Sequence, residues 1–239
     1  MTARHEFDAA LSRLASFKVN RDDDIRSQVT TMERSIRDER DRFVDNLRIK
    51  LTAFKNDAAR LRELRDEELP PAFIDHPIAK EIDEQLRRLD QQLVTERQAI
   101  VTQARQALAA FDYPRFDKLI ADNRQDMGES LPGQELDKLS ALATEIRQFM
   151  STMNTAIQAA DPKPRFRQSL NNWTDTDIVG AKPDSVILRP PAGGEVTVRL
   201  ETISQADLNK VAQLVLGDAQ AQGYQNLIAR ITELKASAN

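Results

Sequence analysis

The sequence predicts a mainly α protein: a long antiparallel helical hairpin or bundle, followed by a small α+β module with a three-stranded β-meander. None of the seven glycines lies in the first 127 residues, and the prolines there are confined to Pro70-Pro71, Pro77 and Pro114. Glycine and proline interrupt helices most strongly, so charged stretches without them favour long, unbroken helices. Beyond residue 161 the chain changes character, because short β-prone runs alternate there with turn residues.

This change of character predicts two domains. The first is an elongated helical bundle with a coiled-coil-like hairpin over residues 1–161. The second is a small β-meander with two helices over residues 165–239. The boundary is predicted at Asp161-Pro162-Lys163-Pro164, because proline disfavours helix in the residue before it.

Apolar residues at steps of three and four predict the helices of the first part. One helix is expected over about 21–68 and a second from Pro77 to about Phe111, with Leu69-Pro70-Pro71 as the stop between them. A short connection between two long amphipathic helices favours an antiparallel hairpin.

A third helix, over about 134–160, has the most regular heptad spacing. We expect its apolar stripe to be buried within the same chain, which favours a monomer and leaves a homodimer possible. The stripe consists of Leu136, Leu139, Ala143, Ile146, Met150, Met153, Ile157 and Ala160.

The C-terminal part combines three β-prone runs with two helices. The runs are Ile178-Val179, Val186-Ile187-Leu188 and residues 196–200, with turn residues between them. Ser204, with Asp207 three residues later, predicts a capped helix that stops at Gly217. A last amphipathic helix is expected from about Tyr224.

Composition limits the class of function. The 239 residues include 34 basic and 38 acidic side chains, a net charge of −4, so the basic excess of a dedicated nucleic-acid binder is missing. The chain has no cysteine, and therefore no disulfide and no thiolate metal site. No apolar run approaches the roughly 18 residues of a membrane span, and the N-terminus does not resemble a signal peptide. We expect a cytoplasmic chain without a membrane span, which could be a piece of a larger protein.

Motifs for catalysis or metal binding were not found in the sequence, whether phosphate-binding glycine loops, nucleophile elbows, or zinc and calcium motifs. His5 and His76 have no companion residues at a ligand spacing. The run Asp22-Asp23-Asp24 is more typical of a helix N-terminus than of a cation site. We therefore expect no enzyme activity, no metal and no cofactor.

Two segments resemble known families. Residues 107–113 followed by Phe116 resemble the helix–turn–helix junction of tetratricopeptide-type repeats, which implies helical-repeat-like packing. Trp173-Thr174, residues 186–188, residues 194–200 and Ile203-Ser204 with Asp207 resemble the small SH3-like β domain of endocytic actin-assembly adaptors, which is similar to modules of bacterial multidomain proteins. In that family the module is an interaction domain and not a catalyst.

The candidate partner-binding residues are Trp173, Val196 and Val198. Trp173 is the only tryptophan, and it is either the core anchor of the β module or an exposed recognition residue. Edge strands of so short a meander are partly unpaired, so an extended peptide could add to one of them.

These observations predict a non-catalytic scaffold or protein-interaction segment, within a larger bacterial multidomain protein. A protein partner is expected, and nucleic acid is not. The alternative is a regulatory or accessory region of a signalling enzyme of the Ser/Thr kinase type, whose catalytic domain lies outside this chain.

Overall fold

Nine α-helices and one four-stranded antiparallel sheet occupy the residues that a computed structural model of the chain describes, which are 6–19, 22–166 and 174–237. The predicted fold class is confirmed, since the protein is mainly α with a small β module near the C-terminal end. The chain divides into two units, Met1–Thr95 and Glu96–Asn239.

In its described residues the first unit is helical. It contains α1 (Phe7–Ala15), α2 (Asp23–Ala53) and α3 (Ala58–Glu63), with 3-10 turns at Ser16–Val19 and Pro71–Phe73 and a π-helical segment at Leu64–Glu68. The next helix, α4 (Pro77–Ala109), begins in this unit, and its later residues belong to the second.

The prediction of one unbroken helix over about 21–68 is wrong, because the chain turns between α2 and α3. Asp57 is the N-cap of α3, and its side chain accepts a hydrogen bond from Arg60 N at 3.0 Å. The apolar pattern hides this break, since Leu51, Phe54 and Leu61 keep helical spacing across it. A cap needs only one side chain, so it leaves that spacing unchanged.

Three phenylalanine rings anchor the first unit. The ring centroids of Phe43 and Phe73 are 5.4 Å apart, and Phe7 lies 6.3 Å from Phe43 and 6.1 Å from Phe73. Aromatic pairs attract each other at such separations. Side chains of α3, the π-helical segment and α4 complete the cluster: Leu61, Leu64, Ile78 and Ile82. The turn before α3 therefore returns the chain to the core that α2 and α4 share.

The second unit combines the end of α4 with further helices and the sheet. The helices are α5 (Tyr113–Met127), α6 (Leu131–Ala159), α7 (Gln205–Leu216), α8 (Asp218–Gly223) and α9 (Gln225–Ser237). The strands are β1 (Arg165–Phe166), β2 (Thr176–Lys182), β3 (Ser185–Arg189) and β4 (Val196–Arg199), in the order β1-β2-β3-β4. The three predicted strands are confirmed, and the two-residue strand β1 was missed.

The predicted start and end of α7, at Ser204 and Gly217, are confirmed. Ser204 Oγ accepts a hydrogen bond from Asp207 N at 3.1 Å and donates one to Asp207 Oδ2 at 2.7 Å. Gly217 ends the helix with a φ of 75°, a conformation that suits glycine. The start of α6 precedes the predicted residue 134, because Ser130 caps it by accepting from Gly133 N at 3.3 Å.

The apolar stripe of α6 forms the centre of the second unit. Its burial within the chain is confirmed for seven residues of the predicted stripe: Leu136, Leu139, Ala143, Ile146, Met150, Met153 and Ile157. The same core contains Val186 and Val198 from the sheet and Val211 from α7. The two units differ in their internal contacts, and this does not show which parts of the chain fold independently. The predicted domain boundary at residues 161–165 therefore stays a prediction.

Hydrogen bonds also join α6 to an irregularity in β2. The register of β2 against β3 shifts between Ile178 and Gly180, as in a bulge, which leaves backbone groups without ladder partners. Asn154 Oδ1 accepts from Ala181 N at 3.1 Å, and Gln158 Nε2 donates to Val179 O at 3.1 Å. Gln158 thus supplies a partner to Val179, which the ladder skips, and Asn154 supplies one to Ala181 N just after the bulge.

Tyr113 connects α5 to the turn between β2 and β3. Its hydroxyl donates a hydrogen bond to Pro183 O at 3.1 Å, and the Arg147 guanidinium carbon lies 4.3 Å from its ring centroid. Arg147 is held there by Asp117, with 2.6 Å between Nη2 and Oδ2. Burial raises the pKa of Tyr113 well above its ordinary value, because the phenolate would lose its hydration.

Tyr113→Phe is expected to lower the free energy of unfolding at neutral pH by about 1 kcal/mol, because one hydrogen bond is lost. The pKa of Tyr113 is higher in the folded chain than in the unfolded one, so its stabilising effect is complete below about pH 10 and is lost as the pH rises further. Urea unfolding at a series of pH values measures both effects. Tyr224→Phe is the control. If the free energy of unfolding falls equally steeply above pH 10 in the wild type and in Tyr113→Phe, this account is contradicted.

Asn154→Ala is expected to cost about 1–3 kcal/mol of stability, because the buried Ala181 N–H is left without an acceptor. Asn154→Asp keeps an oxygen in place and should cost less. Gln148→Ala, on the exposed side of the same helix, should be nearly neutral. Chemical denaturation of the three variants gives the comparison, and an Asn154→Ala variant as stable as Gln148→Ala would refute the role of this contact.

Candidate interaction site

β4 is the outer strand on one side of the sheet. It pairs antiparallel with β3, in a register that sets Ser185 opposite Arg199 and Leu188 opposite Val196. Among the described strands it has no neighbour on its other side. An outer strand of this kind presents backbone N–H and C=O groups that can pair with another chain.

The hairpin between β3 and β4 positions the start of this outer strand. Gly193 and Gly194 have φ values of 84° and 82°, which other residues rarely adopt, and Gly193 N donates to Pro190 O at 3.0 Å. Arg189 at the end of β3 then pairs with Glu195, with 2.8 Å between Nη2 and Oε1. Glu195 therefore continues the register one residue before β4.

The register shows which backbone groups of β4 are open. Leu200 N donates to Asp184 O at 2.8 Å, so alternate residues of β4, which are Val196 and Val198, bond to β3. The backbone groups of Thr197 and Arg199 point away from β3. Arg199 O also accepts a hydrogen bond from the Thr202 hydroxyl at 2.9 Å, which leaves the carbonyl one further lone pair.

Two of the three site residues predicted from the sequence lie in β4. Val196 is half-buried and Val198 is 5% exposed, with its side chain in the core of the second unit. Trp173 lies outside the described residues. Exposed side chains and open backbone groups belong instead to Thr197 and Arg199, which the sequence analysis did not name. The alternation of valine with Thr197 and Arg199 is a sequence signal for their exposed side chains, whereas their open backbone groups follow only from the register with β3.

The segment after β4 is held by a lysine of the last helix. Lys235 Nζ donates to the carbonyl oxygens of Leu200 and Ile203 at 3.0 and 2.7 Å. These two carbonyl groups lie at the start of the 3-10 turn Leu200–Thr202 and just after it, so the lysine stabilises the turn. Burial lowers the pKa of Lys235, and the charge of Glu201 acts in the opposite direction. The C-terminal end of β4 is therefore fixed in place without a neighbouring strand.

A cavity of about 420 Å³ lies beside this end of β4, within the second unit. Its carboxylates have structural roles: Asp112 accepts from Arg115 N at 3.2 Å, Asp184 from the Ser185 hydroxyl at 2.9 Å, and Glu201 lies 3.7 Å from Arg199.

In the described part of the chain, no three histidine or carboxylate side chains are grouped so as to hold a metal ion. Asp22, from the aspartate run, caps α2 by accepting from Asp24 N at 3.0 Å.

A second surface lies on α4 in the first unit. A groove of about 720 Å³ follows one side of the helix past Leu86 and Val94. Its acidic residues are already paired, Asp83 with Arg65 and Asp90 with Arg62, each at 2.7 Å. The groove lacks open backbone groups because it is lined by helix, so β4 is the stronger candidate site.

Searches against protein-family models, curated proteins and solved structures gave no match for this chain. The resemblances to tetratricopeptide-type repeats and to the SH3-like β domain therefore stay expectations. Within the described ranges, no helix has a stretch of sufficient length and apolarity to span a membrane.

Proposed function

We propose that this chain is a non-catalytic scaffold or protein-interaction segment within a larger bacterial multidomain protein, and that it binds a protein partner by strand addition to β4. The observation that carries the proposal is the open edge at Thr197 and Arg199. Main-chain hydrogen bonds supply affinity in this mode of recognition, and alternate side chains supply specificity.

The surroundings of β4 support this proposal. Val198 fixes the strand to the core, and Lys235 holds the turn that follows it. A strand that is already ordered loses little conformational entropy when a partner binds, so more of the interaction energy appears as affinity.

The alternative function, a regulatory region of a Ser/Thr kinase-type enzyme, is favoured by no specific observation in the described residues. The binding site at β4 would serve such a region equally well. We therefore keep the interaction segment as the proposal.

Thr197→Pro tests the proposal in the native cell. Proline removes the outward N–H of residue 197, and the ladder to β3 does not use this group. We expect proteins that co-purify with the tagged wild-type chain to be lost with Thr197→Pro. Thr197→Val keeps the backbone donor and should retain them.

Circular dichroism and thermal unfolding show whether the variants keep the fold. If a folded Thr197→Pro variant retains the same partners as the wild type, β4 is not the docking strand and the proposal fails.

A further inference from the structure

The open edge of β4 has a charge pattern that is symmetric about its central residue. Reading along the strand, Glu195 and Arg199 stand two residues before and two residues after Thr197, with a valine on each side of the threonine. Both charged side chains are exposed, at 55% for Glu195 and 70% for Arg199, although Glu195 also pairs with Arg189 and Arg199 lies 3.7 Å from Glu201 within the chain. If two such strands are related by a two-fold axis through this centre, each charge lies opposite the opposite charge of the other strand.

We infer that the β4 edges of two copies of this chain pair antiparallel, with the two Thr197 residues opposite each other. This inference rests on the proposed function and specifies the partner as a second copy. In this register Glu195 of each copy lies opposite Arg199 of the other. Symmetric dimers require such self-complementary contacts, in which each residue and its counterpart are exchanged by the axis.

The backbone groups match the same register. In one copy the groups of Thr197 and Arg199 face the open side, by the alternation that the bond from Leu200 N to Asp184 O establishes. Extending this alternation by one residue before β4 assigns the same side to Glu195. Antiparallel pairing centred on Thr197 makes these residues the hydrogen-bonded pairs. Arg199 O keeps a lone pair for this purpose beside its bond from Thr202.

The charges select the orientation of the two strands. Parallel pairing in register would set Glu195 beside Glu195 and Arg199 beside Arg199, and like charges directly opposite are destabilising. Because the side chains are exposed, each ion pair adds little affinity and acts mainly on register.

The edge is short, and this sets the strength expected of the dimer. Glu195 follows a glycine turn, and a 3-10 turn begins at Leu200, so about five residues of each copy can pair. Interfaces of that size are weak, so a monomer at low concentration and a dimer at high concentration are both consistent with the pairing.

Analytical ultracentrifugation of the full chain, from about 5 μM to about 1 mM, tests the inference, since weak interfaces dissociate in this range. We expect a reversible monomer–dimer equilibrium for the wild type. Thr197→Pro should raise the dimer dissociation constant by at least about tenfold. Thr197→Val is the control that should leave it nearly unchanged.

A charge swap tests the register. Glu195→Arg and Arg199→Glu each set like charges opposite one another at both ends of the pair, and each should weaken the dimer. The double variant Glu195→Arg/Arg199→Glu restores opposite charges and should recover dimerisation. These positions are exposed, so the fold should tolerate the changes, and thermal unfolding of each variant measures the effect of losing the contacts with Arg189 and Glu201.

A chain that stays monomeric up to the highest concentration overturns the inference, as does a dimer indifferent to Thr197→Pro. A double variant that dimerises no better than either single variant overturns the antiparallel register, because all three lose contacts with Arg189 or Glu201 within the chain and only the double variant restores opposite charges between the copies. If the chain is monomeric and Thr197→Pro still abolishes capture of another protein, the proposed function stands and the second copy is not the occupant. If capture also survives Thr197→Pro, both proposals fail.

Discussion

The contact between α6 and β2 is the interaction on which the second unit depends. Its apolar part is the heptad stripe of α6, which is buried in one core with the sheet and with α7 and α9. Its polar part is a pair of hydrogen bonds, in which Asn154 accepts from Ala181 N and Gln158 donates to Val179 O of β2. An amide side chain is well suited to this place, because buried backbone groups without partners are costly.

The order of the strands around this contact determines where the sheet is open. β2 is the strand bound to α6, and it has β1 on one side and β3 on the other. β4 comes last in the order, and its Val198 side chain lies in the core. Among the described strands, none pairs with the outer backbone groups of β4. The proposed binding strand is therefore a consequence of strand order, and strand order is a property of the whole fold.

Features that depend on near neighbours in the chain could be predicted from the sequence. The cap at Ser204, the stop at Gly217 and the stripe of α6 are examples, because caps and apolar periodicity are local. The break at Asp57 was missed, since one capping side chain does not disturb the apolar spacing around it. Strand β1 was missed because two residues have no pattern of their own, and they are a strand only through pairing with β2.

The candidate site was predicted only in outline. A β-meander with a partly unpaired edge follows from short β-prone runs, but the sequence alone does not show which residues of β4 face that edge. Buried valines were the most conspicuous residues of this run, and the structure shows that Val198 belongs to the core. The residues that face the open side, Thr197 and Arg199, depend on the register with β3.

Amide hydrogen exchange resolved to single residues tests the central claim, an open edge at β4, most directly. Measured on the dilute chain, Val196 and Val198 should be protected by their bonds to β3, while Thr197 and Arg199 should exchange much faster. Protection that alternates along the strand in this order is the result we predict. Equal protection of Thr197 and Val198 would show that the edge is already covered and would contradict the account.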